Sequence, residues 1–213
     1  MKLFRIIASA QGGRAFTHMG NACGLSDEVA AQVVRYFVPP IARAIQKRAQ
    51  TAEGLLSVLE FLGSRRYDRF LDDPRVFGHP TVTEEGERVL EYAFGSKARI
   101  KKIVARRAAV LPVSEEQLEK MFPTIAVLAL GAIETRTRRP LGSILHRLNN
   151  GFSDPRAIAN PYLALAQVLR KKERDEKEQR RKTGLRALRV SSVLGGLVAR
   201  PMPQGSNVGM AVN

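Results

Sequence analysis

The sequence predicts an all-α protein: a multihelical bundle with two internal helical repeats and a basic helical C-terminal extension. Three observations carry that expectation. Residues 25–45 (LSDEVAAQVVRYFVPPIARAI) and 113–133 (VSEEQLEKMFPTIAVLALGAI) share one pattern at an offset of 88 positions. Ala30, Val33, Val34, Phe37, Ile41, Ala44 and Ile45 fall on Leu118, Met121, Phe122, Ile125, Ala129, Ala132 and Ile133, the i, i+3, i+4 stripe of an amphipathic helix. Each stripe follows a capping serine and two acids, Ser26-Asp27-Glu28 and Ser114-Glu115-Glu116. The third observation is a change in charge along the chain: residues 1–154 hold 23 Lys and Arg against 16 Asp and Glu, while residues 155–213 hold 12 against 4.

Taken in order, helices are predicted over 14–22, 27–38, 40–49 and 52–62. Pro39 and Pro40 lack an amide hydrogen and crowd the preceding turn, so a kink or break is expected there. In the second copy the proline is Pro123, which moves the expected break. Residues 64–83, with Pro74, Gly78 and Pro80 among charges, read as a linker between the copies with a few anchoring aromatics. A helix over 84–94 turns Val89, Leu90, Ala93 and Phe94 inward and ends at Gly95, and another covers 97–109. Ser114 and Gln117 form a capping box, the hydroxyl taking an amide proton of the first turn while the glutamine reaches back.

After Pro140, the run LGSILHRL to Leu148 is expected to be the last helix of the repeated unit, stopped by Asn149, Asn150 and Gly151. Asn160 and Pro161 open a further helix to about Lys182. Its first third is apolar (Tyr162, Leu163, Leu165, Val168, Leu169) and the rest is charged. Leu185, Leu188, Val193, Leu194, Leu197 and Val198 then suggest a short apolar element. The expected organisation is a duplicated helical domain over 11–150, with repeats at about 11–62 and 84–148. A basic helical extension over 151–200 and a disordered tail over 201–213 follow.

Hydrophobic residues make up 44% of the chain and Trp is absent, the balance of a lightly aromatic helical protein. The single Cys23 allows no intramolecular disulfide and no cysteine pair for zinc, which points to a reducing compartment, the cytoplasm. The opening MKLFRIIASAQGG has a charged start and a short apolar run, but Arg5 interrupts it, so a secretory signal is not expected. No stretch approaches the roughly 20 apolar residues of a spanning helix. The formal net charge of +15 implies attraction to polyanions.

Six short pieces stand in a characteristic order: QGG at 11–13, GLS at 24–26, TAEG at 51–54, FLDD at 70–73, AFGSK at 93–97, and the second serine-initiated helix ending LALGAI. In this the chain resembles the YidB-like family of bacterial proteins of unknown function, over roughly residues 11–148. The resemblance implies a multihelical fold with an internal repeat, and it points to no known catalytic residues, none being established for the family. The basic second copy and the residues after Asn150 depart from it.

Between Lys97 and Arg107 six basic residues occur without an acid, and Arg99, Lys102 and Arg106 share a stripe opposite Ile100, Ile103 and Val104. Such a stripe reads as a solvated helix face or as a phosphate-contacting one, which Arg136, Arg138 and Arg139 would extend. In the extension, Arg170, Lys171, Lys172, Arg180, Arg181 and Lys182 stand among interleaved acids that support an exposed helix through i, i+4 pairs. They also suit a polyanion or an anionic membrane surface. His18 and Cys23 are close in sequence, the pairing of a nucleophile and base, but no orienting third group accompanies them. Asp68, Asp72, Asp73, Glu84, Glu85 and Glu87 make an acidic patch without the ligand spacing of a cation loop, which favours a docking surface for the basic segments.

No phosphate-binding loop, dinucleotide fingerprint, nucleophile elbow or zinc-protease motif is present in the sequence. The expectation is a binding or scaffold protein with a protein partner, no catalytic residue, no metal and no cofactor. The alternatives are sequence-independent nucleic-acid binding through the basic helices, and an enzyme with its site near His18, Cys23 and the acidic patch.

Overall fold

A computed structural model describes residues 2–148 and 159–198, with side chains described over 2–147 and 159–183. Every regular element among the described residues is helical: α1 (Lys2–Ser9), α2 (Ala15–Cys23), α3 (Asp27–Arg48), α4 (Ala52–Gly63), α5 (Arg69–Asp72), α6 (Pro80–Phe94), α7 (Lys97–Ala108), α8 (Glu115–Leu148) and α9 (Pro161–Val198), with short 3-10 turns at Ala10–Gly13 and Pro74–Val76. The fold is an all-α multihelical bundle. Contacts divide the chain into two compact units, Met1–Leu169 and Arg170–Asn213. The expected stop at Asn149–Gly151 and the expected disordered tail lie outside the described residues, as do the side chains of the apolar element after Gly184.

In the first unit α8 is the axis. α1, α3, α5, α6 and α7 all pack on it, while α2 and α4 pack on α3. Residues 121–132 of α8 are buried without interruption, so this stretch is covered on every side. The two stripes read from the sequence meet each other here: Phe37 of α3 and Phe122 of α8 lie with ring centroids 4.4 Å apart, and Phe94 adds a third ring at 6.1 Å from Phe122. Close approach of α6 depends on a missing side chain. A Cβ on Gly86 would sit 2.2 Å from the Pro123 carbonyl oxygen.

The caps expected at Ser26 and Ser114 are present, and Thr51 and Ser96 add two more. Ser26, Ser96 and Thr51 each accept an amide proton from the first turn of their helices. At Ser114 the Oγ accepts from the Gln117 amide at 3.2 Å and Gln117 Oε1 accepts from the Ser114 amide at 3.2 Å, a closed capping box. Gly95 ends α6 in the left-handed region at φ 80.

The prolines do not break the helices. α3 runs unbroken through Pro39 and Pro40, and α8 runs through Pro123 and Pro140, joining the separately expected segment after Pro140. A proline at position i leaves the carbonyl at i−4 without its amide partner. The four residues so affected, Arg35, Tyr36, Glu119 and Arg136, are all exposed, which places these helix positions on the solvent side. The flanking stripe then holds each helix together, as Val33, Val34 and Phe37 before the proline pair and Ile41 and Ile45 after it share one core.

The expected linker over 64–83 is anchored by buried Tyr67, as its aromatics suggested, and carries more structure than expected: Leu71 and Val76 are buried too, α5 packs on α8, and α6 starts at Pro80, which occupies the first helical turn where its missing amide costs nothing. At the N-terminus Ile7 is fully buried and α1 packs on α3 and α8. In the second unit α9 continues past the expected end near Lys182 to Val198, through Gly184, Gly195 and Gly196, each of which costs only about 1 kcal/mol in a helix interior.

Candidate functional site

The densest polar constellation in the first unit gathers around the segment 64–73, held between two buried carboxylates. One is Glu85 of α6, 4% exposed. Tyr67, fully buried, donates its hydroxyl proton to Glu85 Oε1 at 2.6 Å, and Arg88 reaches both Glu85 Oε1 at 2.6 Å and the Tyr67 oxygen at 2.9 Å. Arg65 closes the other carboxylate oxygen at 3.1 Å. Burial, reinforced by the Glu85 hydrogen bond, pushes the Tyr67 phenol well above its ordinary range. Arg88 also lies over the Phe61 ring, which stacks on Tyr92 at 4.0 Å, with Arg48 on Tyr92.

The other carboxylate is Glu134 of α8, fully buried. It accepts the Asp68 amide proton at 3.0 Å and pairs with Arg138 one turn on, while Arg66 stands 3.8 Å away and binds Asp68 in a two-pronged pair at 2.7 and 2.8 Å. Burial raises the Glu134 carboxyl above its ordinary range against the opposing pull of the Asp68 amide and Arg138. Asp68 is lowered by its Arg66 hydrogen bond. Arg138 donates on to the Ala159 carbonyl at 2.6 Å, and Tyr162, whose phenol burial pushes up to about 12, donates to the Glu134 carbonyl at 3.1 Å and meets Thr137 at 2.8 Å. Every member of both clusters has its partner inside the unit. The arrangement ties segment 64–73 to α6, α8 and the first turn of α9.

The acidic patch read from the sequence therefore dissolves. Glu85 is interior, Asp68 is taken by Arg66, Asp73 is taken by Arg75 at 2.9 Å, and Asp72, Glu84 and Glu87 are exposed. His18 and Cys23 do not meet as nucleophile and base. Five residues apart on α2, they point about 140° apart around the helix. His18 Nδ1 donates to Gln11 Oε1 at 2.6 Å, while Cys23, half-buried and raised in pKa by burial, faces a cleft beside Lys120. Among the described residues no group of three or more His, Cys, Asp or Glu is placed to hold a metal. No described helix is long and apolar enough to cross a membrane.

Arg99, Lys102 and Arg106 are exposed on α7. α7 lies along the N-terminal half of α8, where its Ile100 and Val104 share a groove with Phe122 and Pro123. Arg136, Arg138 and Arg139 come more than a dozen residues later, roughly 20 Å further along that helix at 1.5 Å per residue. The two sets are thus separate patches, and Arg138 is engaged internally with Glu134. In the second unit Arg170, Lys171, Lys172, Arg180, Arg181 and Lys182 are exposed, with Lys182 on Glu178 at 2.7 Å and Lys177 on Glu173 at 2.8 Å. Sequence reasoning missed Glu134, Tyr67 and Tyr162. A usable signal was Glu134 itself, the acid that ends the charge-free run 121–133.

Each of the six resemblance motifs has a structural duty. QGG makes the turn at Gln11–Gly13, with Gln11 Nε2 donating to the carbonyl of Asp73 in FLDD at 3.1 Å. GLS, TAEG and AFGSK supply caps, and Gly54 and Gly131 allow backbone contact, a Cβ on Gly131 falling 2.6 Å from the Tyr67 carbonyl oxygen. No curated protein and no solved structure matches the chain. A family model described as a bacterial protein of unknown function (DUF937) matches residues 5–136, more than half of the sequence, from within α1 to just past the buried Glu134. The chain belongs to this family, which includes the YidB-like proteins.

Proposed function

We propose that this is a non-catalytic helical binding protein that docks an acidic protein partner, with α7 as its principal contact. One observation carries the reading: α7 contains no acid, buries Val104, and turns Arg99, Lys102 and Arg106 to solvent. The buried carboxylates Glu85 and Glu134 are already neutralised by arginines of the same unit and do not compete for those cations. Exposed charge of one sign steers complementary partners and sets register more than it sets raw affinity. The test is capture of partners from bacterial lysate after nuclease treatment, comparing the full chain with the Arg99→Gln, Lys102→Gln, Arg106→Gln variant. A protein retained by the first and lost by the second is expected; loss of every partner on nuclease treatment overturns the reading.

Nucleic acid is the second reading, and it rests on the exposed stretch 170–183, where basic residues outnumber acids and the acids Glu173 and Glu178 already pair with lysines. Phosphate contact by such a helix is independent of sequence and steeply dependent on salt. Binding of a random duplex, weakening sharply with added salt, supports this alternative over the first.

A further inference from the structure

The cleft that Cys23 faces has the makings of a small-molecule site. It encloses about 400 Å³ between the end of α2, the turn before α6 and the first turns of α8, within the range of pockets that hold small ligands. Gln117 donates to the Cys23 carbonyl at 3.2 Å and sets the two helices side by side. Met19 lies one turn before Cys23 and Met121 one turn after Gln117; at 1% and 2% exposed they close the cleft's floor, and half-buried Phe77 is its more open apolar wall.

Two polar groups converge on that wall. Lys120 extends from α8 at the rim; its ammonium bonds to Glu116 at 2.8 Å in a pair that is 72% and 78% exposed, a weak surface contact that leaves donors of a three-donor group available. Thr124, one turn deeper, is 4% exposed. Among the described residues its hydroxyl makes no hydrogen bond, although every fully enclosed side-chain polar atom has a partner. Its oxygen is therefore reached through the cleft that it lines. A buried hydroxyl without a protein partner is a group awaiting one.

We propose that the cleft binds an amphiphilic carboxylate, its apolar body against Met19, Phe77 and Met121 and its anionic end between Lys120 and Thr124. The charge argues for a monoanion. A single lysine already shared with Glu116 balances one negative charge, and a phosphate dianion would call for more.

The chain supplies its own reporters. Cys23 is the single cysteine, and of the five methionines Met19 and Met121 line the cleft while Met1, Met202 and Met210 lie outside the described residues. The experiment titrates the full-length protein, labelled with ¹³C at the methionine methyls, with decanoate below its micellar concentration and with decanol as the uncharged counterpart. In parallel it follows alkylation of Cys23 by iodoacetamide. Decanoate is expected to shift the Met19 and Met121 methyl resonances saturably and to slow alkylation over the same concentrations. Lys120→Gln is expected to weaken decanoate by up to about fivefold, the scale of an ion pair at an exposed ammonium, and to leave decanol unchanged. Thr124→Val should weaken decanoate severalfold, and Lys47→Gln, an exposed charge on α3, should do nothing. Absence of any saturable shift at Met19 and Met121 overturns the site. Equal binding of decanol and decanoate, insensitive to Lys120→Gln, overturns the assignment to a carboxylate.

Discussion

Glu134 is fully buried at the end of a charge-free helical run, and its neighbours show what its removal does. Glu134→Ala strands the Asp68 amide and the Arg138 guanidinium together, and a buried pair broken on one side costs about 3 kcal/mol or more. Glu134→Gln keeps an acceptor for the amide and should cost clearly less, so urea unfolding of the two variants separates the charge from the hydrogen bond. The pH dependence follows from opposite shifts. Because burial raises the folded Glu134 carboxyl above its ordinary 4.5, the unfolded chain gives up that proton first as pH rises. Native Glu134 therefore loses stability relative to Glu134→Gln through a window that opens near pH 4.5 and closes at the raised folded value. Asp68, lowered below 3.8 by Arg66, acts in the other direction: its contribution is present above that value and disappears as pH falls below it, so Asp68→Asn should flatten the acid limb. Unfolding curves taken between pH 3 and 7 report both.

At the scale of elements, packing outweighs local preference. The helix pair α6 and α8 approaches through Gly86, and Gly86→Ala places a methyl 2.2 Å from a carbonyl oxygen that belongs to backbone and cannot swing aside. A loss of about 3 kcal/mol is expected, in the upper range for overpacking, read as an early thermal transition by circular dichroism. Pro140 poses the opposite case. It is exposed inside α8, so Pro140→Ala restores an amide bond to Arg136 at no packing cost and should raise the melting temperature.

These two positions also mark what was legible beforehand. The stripes at Val33, Phe37, Phe122 and Ile125, the caps at Ser26 and Ser114, and the glycine stop at Gly95 are local signals, and the folded elements follow them. Pro39, Pro123 and Pro140 read as breaks because a proline's cost is local while its compensation, a core that the flanking residues share, is tertiary. The segment 64–83 read as linker because its anchors Tyr67 and Leu71 have partners far away in sequence, on α6 and α8. The same blindness split the acidic residues wrongly: adjacency suggested one patch, and the fold sends Glu85 inward and Asp73 to Arg75. The carboxylate cleft drew its lining from α2, α6 and α8; Cys23, Gln117 and Met121 each stood out in the sequence, but for other reasons, and nothing local brought them together.

Over the whole molecule the question is where the net charge of +15 is exposed and what it meets. In the first unit the exposed cations of α7 stand apart from the arginines late in α8, while in the second the basic residues of 170–183 are exposed. The two readings of function differ in how salt acts on those groups. If α7 contacts phosphates, each cation removed lowers the slope of log affinity against log salt by about 0.9, so the Arg99→Gln, Lys102→Gln, Arg106→Gln variant should bind duplex DNA with a slope smaller by about 3. If α7 serves an acidic protein, the variant loses that partner, and DNA binding, carried by 170–183, keeps its slope. Measuring the DNA slope for both proteins across 50 to 300 mM salt assigns the α7 cations to one role or the other, because a solvated face with no ligand changes neither the slope nor the captured partner.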